Sequence, residues 1–164
     1  MILQTPRLIL RKLTLDDGAF MVRLLNDPSF LGNIGDKGVR TVEDARRWLS
    51  DSHLASYAKH GFGHYMVELK PDGTPVGMCG LIKREALGEV DVGFALLPEF
   101  WSRGYAFEAA AAVMEFGRRE LGLSRIVGFV SPGNTGSIRV LQKLGLTFSG
   151  SAQLSPGDEV HLYA

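Results

Sequence analysis

Polar and apolar residues alternate at period two over Arg7–Leu13, the pattern of a half-buried strand. Thr14 follows as a helix N-cap, with Asp16 and Asp17 in the first turn, where the helix dipole favours carboxylates. An apolar stripe through Phe20 and Leu24 carries this helix to about Asn26, and Pro28 ends it. A loop containing Gly32, Gly35 and Gly38 leads to Thr41-Val-Glu-Asp44, a capping start for a helix that runs to about Lys59 around Trp48. His64–Lys70 and Val76–Lys83 then flank Pro71–Thr74, a turn in which proline presets φ and glycine accepts positive φ. A second turn near Gly88 leads into Glu89–Leu97, so these three strands form an antiparallel meander. Arg103–Leu121 is strongly periodic, with Ala106, Ala109, Ala110, Val113, Phe116 and Gly117 on one side and Gly122 as C-cap. Arg125–Val130 reads as a short strand, Asn134–Leu144 as a helix closed by Gly145, and Leu146–Gly150 and Glu159–Tyr163 as two last strands.

The unit Glu89–Leu97, Arg103–Leu121, Arg125–Val130 is a strand–helix–strand crossover, which joins parallel strands right-handedly. The fold class is therefore α/β (α+β), with a mixed sheet that is antiparallel at the start and parallel in the middle. Ligands of such sheets sit beyond the carboxyl ends of the parallel strands.

Composition narrows the function. The 164 residues fit a single domain, 1–164. Lys plus Arg and Asp plus Glu number 18 each, so no basic face marks a nucleic-acid binder or a polybasic membrane anchor. Apolar residues at 45% and charged residues at 22% exclude a disordered chain. Cys79 has no second cysteine to pair with, and His53, His60, His64 and His161 lack ligand spacing, so no metal is expected. An ordinary helix-surface or strand position accounts for each histidine, and Cys79 reads as a buried strand residue. Met1–Arg7 lacks the basic-then-apolar pattern of a signal peptide, and no apolar run approaches the ~20 residues of a membrane span. The expectation is a soluble cytoplasmic protein without nucleic-acid or membrane partners.

The turn Leu97-Pro-Glu-Phe-Trp-Ser-Arg-Gly-Tyr-Ala106 enters the longest helix. Gly104 lets a ligand approach the backbone, and unpaired N–H groups at the positive end of a helix suit a phosphate. Arg103 adds charge-assisted hydrogen bonds. The turn is neither a Walker P-loop nor a dinucleotide fingerprint, and an ordinary helix start whose glycine relieves a tight turn is the competing reading.

Three stretches resemble the GNAT superfamily of N-acetyltransferases, in particular its RimJ/RimL-type branch. They are Thr5-Pro-Arg-Leu-Ile-Leu-Arg11, Asp91-Val-Gly-Phe-Ala-Leu-Leu-Pro-Glu-Phe-Trp-Ser-Arg-Gly-Tyr-Ala-Phe-Glu-Ala109, and Asn134-Thr-Gly-Ser-Ile-Arg-Val-Leu-Gln-Lys-Leu-Gly145. The resemblance spans nearly the whole chain. It implies a twisted, mostly antiparallel sheet with a central splayed parallel pair and helices on both faces. It also implies acetyl-CoA as co-substrate, a primary amine (a protein N-terminus or a small molecule) as acceptor, and a monomer or homodimer.

By the same resemblance, the pyrophosphate lies on Trp101, Arg103, Gly104, Tyr105, Ala106 and Phe107, with main-chain amides as donors. A bulge near Phe94–Leu96 splays the strand, and the opened backbone of Ala95, Leu96 and Leu97 pairs with the pantetheine amides; Gly93 suits that distortion. Asn134 is an N-cap that also reaches the coenzyme. Ser137 is a capping hydroxyl or approaches the sulfur. An attacking amine must lose a proton, and the leaving thiolate gains one. Glu89 and Asp91, spaced by two on one strand face, are the candidate carboxylates, against the alternative that they face solvent or pair with Arg84. Many relatives carry tyrosine where this chain has Leu141, which leaves Ser137 or water to protonate the thiolate. That substitution also motivates the alternative of a non-catalytic acyl-CoA-binding or regulatory module. Trp48, Phe62 and Tyr65 belong to the acceptor cleft or to the core.

Overall fold

The computed structural model describes residues 2–164. β1 (Leu3–Gln4), β2 (Leu8–Lys12), β3 (His64–Leu69), β4 (Pro75–Arg84) and β5 (Glu89–Leu96) form a five-stranded antiparallel sheet in that order. Alternation along the strands sorts the two faces. Tyr65, Val67, Cys79, Leu81, Val90 and Val92 enter one apolar cluster, while Met66 and Met78 enter the other.

The second face is covered by the segment between β2 and β3. Thr14 and Asp17 make a capping box, and a 3₁₀ turn at Leu15–Asp17 leads into α1 (Gly18–Leu25). Pro28 does not simply end that helix: it opens α2 (Pro28–Asn33), where its missing N–H costs nothing, and Asp27 caps Ser29 N at 2.9 Å. The expected glycine loop is correspondingly shorter. Thr41 and Asp44 cap α3 (Val42–Trp48), which widens into a π-helical stretch over Leu49–Leu54 before α4 (Ala55–His60). Such widening recurs at functional sites, and here it contains the buried His53.

The first face receives α5 (Tyr105–Arg119), whose Ala109, Ala110, Val113 and Met114 are buried on it. After α5 come β6 (Gly128–Val130), α6 (Thr135–Lys143), β7 (Phe148–Ser155) and β8 (Asp158–Tyr163), with β8 central in a three-stranded sheet. Helices lie on both faces, as expected. Among the described residues no helix is long and apolar enough to cross a membrane.

The two sheets meet at one place. Val92 N–H donates to Val127 O at 2.8 Å, Val127 N–H donates to Val90 O at 2.9 Å, and Asp91 and Val127 form a parallel bridge. Beyond it the ladder stops. Phe129 N–H, which a continuing ladder would join to β5 backbone, instead faces the Asp91 carboxylate at 3.4 Å. The splayed pair is therefore present, but the bulge expected near Phe94–Leu96 is not. β5 keeps an unbroken register with β4, from Arg84↔Glu89 to Gly77↔Leu96. β5 and β6 part because an acidic side chain takes the place of a main-chain acceptor, with no residue inserted.

Gly93 serves another purpose than distortion. A Cβ there would lie 2.7 Å from His64 Nε2, so the missing side chain admits the imidazole against β5. Gly93→Val is expected to cost about 1–3 kcal/mol by overpacking and to depress turnover by displacing that ring. Denaturant unfolding and steady-state kinetics check both.

Candidate active site

Two cavities flank the splay. One, about 490 Å³, lies between the start of α5 and α6 and is lined by Leu96, Trp101, Gly104, Tyr105, Ala106 and Phe107, among others. The other, about 580 Å³, opens on the side of α2, the π-helical stretch and β4, and includes His53, His64, Arg84 and Asp91. Phe94, Ala95, Asn134 and Ser137 line both. The cavities thus abut where β5 leaves β6.

The turn before α5 has a conformation that only special residues adopt. Gly104 is left-handed at φ 81° and Ser102 takes φ 60°. The first main-chain bond of α5 is Glu108 N–H to Gly104 O at 3.0 Å. Among the described residues, the N–H groups of residues 103–107 have no acceptor in the protein. Converging free N–H groups at the positive end of a 15-residue helix form an anion cradle. Trp101, 47% exposed, donates its Nε1–H to Leu96 O at 2.9 Å and ties the turn to the end of β5.

Arg7 braces the cradle from the far end of the chain. It donates to Arg103 O at 2.9 Å, pairs with Glu108 at 2.7 Å, and stacks its guanidinium 4.4 Å from the Tyr105 ring centroid. Thr5 adds a bond to Glu108 at 2.5 Å. Nothing in the local pattern of Arg7 distinguishes it from a strand-edge arginine. Arg7→Ala is expected to cost no more than about 1 kcal/mol of stability, because the pair is half exposed. It should raise the KM for the coenzyme several-fold, which steady-state kinetics reads.

Ladder geometry corrects the expected pantetheine contacts. In an antiparallel pair, alternate residues aim both main-chain groups at the same neighbour. Leu97 N–H is bonded to Val76 O at 2.9 Å, so residues 91, 93, 95 and 97 face β4. Leu97 and Ala95 therefore have no free amide. The residues facing the gap are Phe94 and Leu96, and Leu96 O is taken by Trp101. Phe94 escapes a reading based on composition, since only the register tells which amides are spent.

Asp91 is buried at 3% exposure beside Arg84, with Arg84 Nη2 at 2.9 Å and Nε at 3.0 Å from the same carboxylate oxygen. Burial pushes its carboxyl up to about 6, against the opposing pull of the guanidinium and the Phe129 N–H. Glu89 leaves the site. Two residues back, ahead of the Asp91–Val127 bridge, it forms a fork with Arg125 Nε at 3.1 and 3.2 Å and lines neither cavity.

Asn134 accepts from Ser137 N–H at 3.3 Å and caps α6, while its side chain also lines both cavities. Ser137 Oγ has no hydrogen-bond partner among the described residues. Leu141 is buried against Gly128, where a Cβ would sit 2.6 Å from its side chain; it is a packing residue. Arg103 is exposed and offers backbone more than charge. Arg139 and Lys143 of α6 line the first cavity and supply cations there.

The histidines depart furthest from expectation. His53 and His64 are buried, at 4% and 8% exposure, and stack with ring centroids 5.3 Å apart. Trp48 packs edge-on against His53 at 4.6 Å. His53 Nε2 and both nitrogens of His64 lack partners. Desolvation pulls His53 down to about 4 and His64 well below its ordinary range, so both are neutral at neutral pH. Phe62 and Tyr65 are core residues, and Cys79 is buried with its thiol pushed up by desolvation. Among the described residues no cluster of His, Cys, Asp and Glu could hold a metal ion.

A splayed sheet with free N–H groups at one mouth and a buried carboxylate at the other thus forms a cleft that opens on both sides of the strand gap. The profile of the acetyltransferase (GNAT) domain matches residues 7–147, and the chain belongs to that family of acetyl-CoA-dependent N-acetyltransferases. The uncharacterized N-acetyltransferase p20 of Bacillus licheniformis is 29% identical over 153 residues, covering 90% of this chain and 83% of its own. An acetyltransferase from Agrobacterium tumefaciens is similar in structure, with TM-score 0.81 and 27% identity over 98% of this chain and 91% of its own. The ribosomal-protein-S5-alanine acetyltransferase of Vibrio fischeri shares the fold at TM-score 0.77 and 19% identity, covering 98% and 93% of the two chains.

Proposed function

We propose that acetyl-CoA lies in the cavity between α5 and α6 and donates its acetyl group directly to a primary amine held in the second cavity. The observation that carries this reading is the abutment of the two cavities at Phe94, Ala95, Asn134 and Ser137, where the strands part. The pyrophosphate rests on the N–H groups of residues 103–107, and Phe94 and Leu96 offer the pantetheine arm the main-chain groups that β6 does not use. Arg139 and Lys143 add charge along the same wall. Asp91 is ionised at neutral pH and accepts a proton from the incoming ammonium, directly or through water. The free amine attacks the thioester carbonyl, the C–S bond breaks, and the proton released from nitrogen goes to the thiolate through Ser137 or water. No acyl-enzyme forms, because among the described residues no activated nucleophile lies at the junction. Among the described residues Ser137 Oγ has no basic partner to deprotonate it, and Cys79 is fully buried in the apolar core.

The RimJ/RimL-type branch is part of this proposal, supported by the opening strand and the two central motifs. A cytoplasmic site of action is part of the same proposal. Thiol release from acetyl-CoA, measured against a panel of amines, amino acids and N-terminal peptides, tests the function. Release that depends on an acceptor is expected; coenzyme binding with no release on any acceptor would contradict it.

A further inference from the structure

The acceptor cavity carries a charge pattern that acetyl transfer alone does not require. Its lining holds Lys37, Lys59, Lys83 and Arg84 against Glu85, Asp91 and Asp158. Most of the anionic charge is already engaged. Glu85 is met by Lys59 at 2.6 Å and His60 at 3.2 Å, and Asp91 by Arg84 at 2.9 Å.

Lys37 has no carboxylate within salt-bridge distance among the described residues. It stands at the cavity mouth, solvent-accessible but crowded enough that desolvation lowers its ammonium below the usual range. The neighbouring Arg84 lowers it further, and Asp158 only partly offsets this. Lys37 and Arg84 thus line one cavity as like charges, with Asp158 on the same lining but in no salt bridge among the described residues. Arg84 spends Nε and Nη2 on Asp91 and leaves Nη1 unpartnered.

The imidazoles face the same space. Three of their ring nitrogens are buried without hydrogen-bond partners, in a protein interior where such groups are normally satisfied. A neutral imidazole offers one N–H donor. Lys37, the free edge of Arg84 and the neutral rings of His53 and His64 together offer donors and positive potential. They suit a compact anion and disfavour a polycation.

We propose that the acceptor is a small amino carboxylate, an amino acid or close analogue. Its carboxylate is received by Lys37 and Arg84 with His53 and His64 donating, and its ammonium is turned toward Asp91. This rests on the reading of the second cavity as the acceptor site. A volume of about 580 Å³ is the size of a small-molecule pocket. A carboxylate brings negative charge to the two cations and acceptors to the ring N–H groups, whereas an uncharged amine or an internal peptide group brings no charge.

The test measures kcat/KM for a panel of amino acids. Each is set beside the amine lacking the carboxylate, the corresponding amide, and a peptide beginning with the same residue. For at least one set, the free acid is expected to exceed the other three by roughly ten- to a hundredfold, the worth of a charge-assisted contact. Lys37→Gln should shrink that ratio through KM, with kcat retained. Parity within every set, rejection of all the acids, or a ratio indifferent to Lys37→Gln would overturn the proposal. Thiol release with plain amines or peptides in the same assay would leave acetyl transfer standing while removing the carboxylate. Silence with every acceptor would remove both.

Discussion

Gly104→Glu is expected to lower affinity for acetyl-CoA by more than about a hundredfold while leaving a folded protein. Two effects combine. Gly104 sits at φ 81°, where an L-residue costs about 1–2 kcal/mol. An added Cβ would also lie 3.3 Å from Arg7 Nη2, pressing on the group that braces the turn. The larger effect is electrostatic. A carboxylate at the centre of the free N–H groups occupies the cradle itself and repels the diphosphate in a site built for negative charge. Gly104→Ala separates the two, since it carries the strain without the charge and should lose far less affinity. Calorimetric titration of both variants reads the difference. Unchanged affinity in folded Gly104→Glu would contradict the site.

Asp91→Asn should lower kcat/KM by roughly 10²- to 10³-fold, the scale set by loss of a positioned proton acceptor. Coenzyme affinity should be retained, because Asp91 faces the other cavity. The pH profile supplies the sign. The carboxylate is the active form and burial lifts its pKa to about 6, so wild-type kcat/KM should rise as pH increases through that value. The amide that replaces it cannot ionise, so the acidic limb should vanish in the variant. A loss under about fivefold, or an acidic limb that survives the substitution, would show that Asp91 serves only to seat Arg84 and Phe129 N–H.

The parts of the site that sequence reveals are those made within one turn of chain. Trp101 to Phe107 lie next to one another, so a glycine ahead of a long apolar helix is enough to expose the cradle, and Asn134 announces its cap by position alone. Period two places Glu89 and Asp91 on one strand face but cannot separate them. What separates them is tertiary: Glu89 meets Arg125 ahead of the single bridge to Val127, whereas Asp91 stands at that bridge, on the edge of the splay. The same limit applies to Phe94 and Ala95, whose amides exchange roles with the register.

The histidines are opaque for a different reason. His53 and His64 meet because a π-helical stretch carries one and the other lies across Gly80 from Gly93. Neither condition is a local sequence pattern. Pro28 likewise reads as a stop until the cap at Asp27 shows that a new helix begins there.

The central claim concerns free main-chain N–H groups, and amide NMR reports on those atoms directly. In the uniformly ¹⁵N-labelled protein, saturating acetyl-CoA should move the amides of residues 103–107 most, followed by Phe94 and Leu96. Acetyl-pantetheine, which lacks the diphosphate, should move only the β5 pair. Shifts that spare residues 103–107 under acetyl-CoA, with binding confirmed in the same sample, would contradict the account at its foundation.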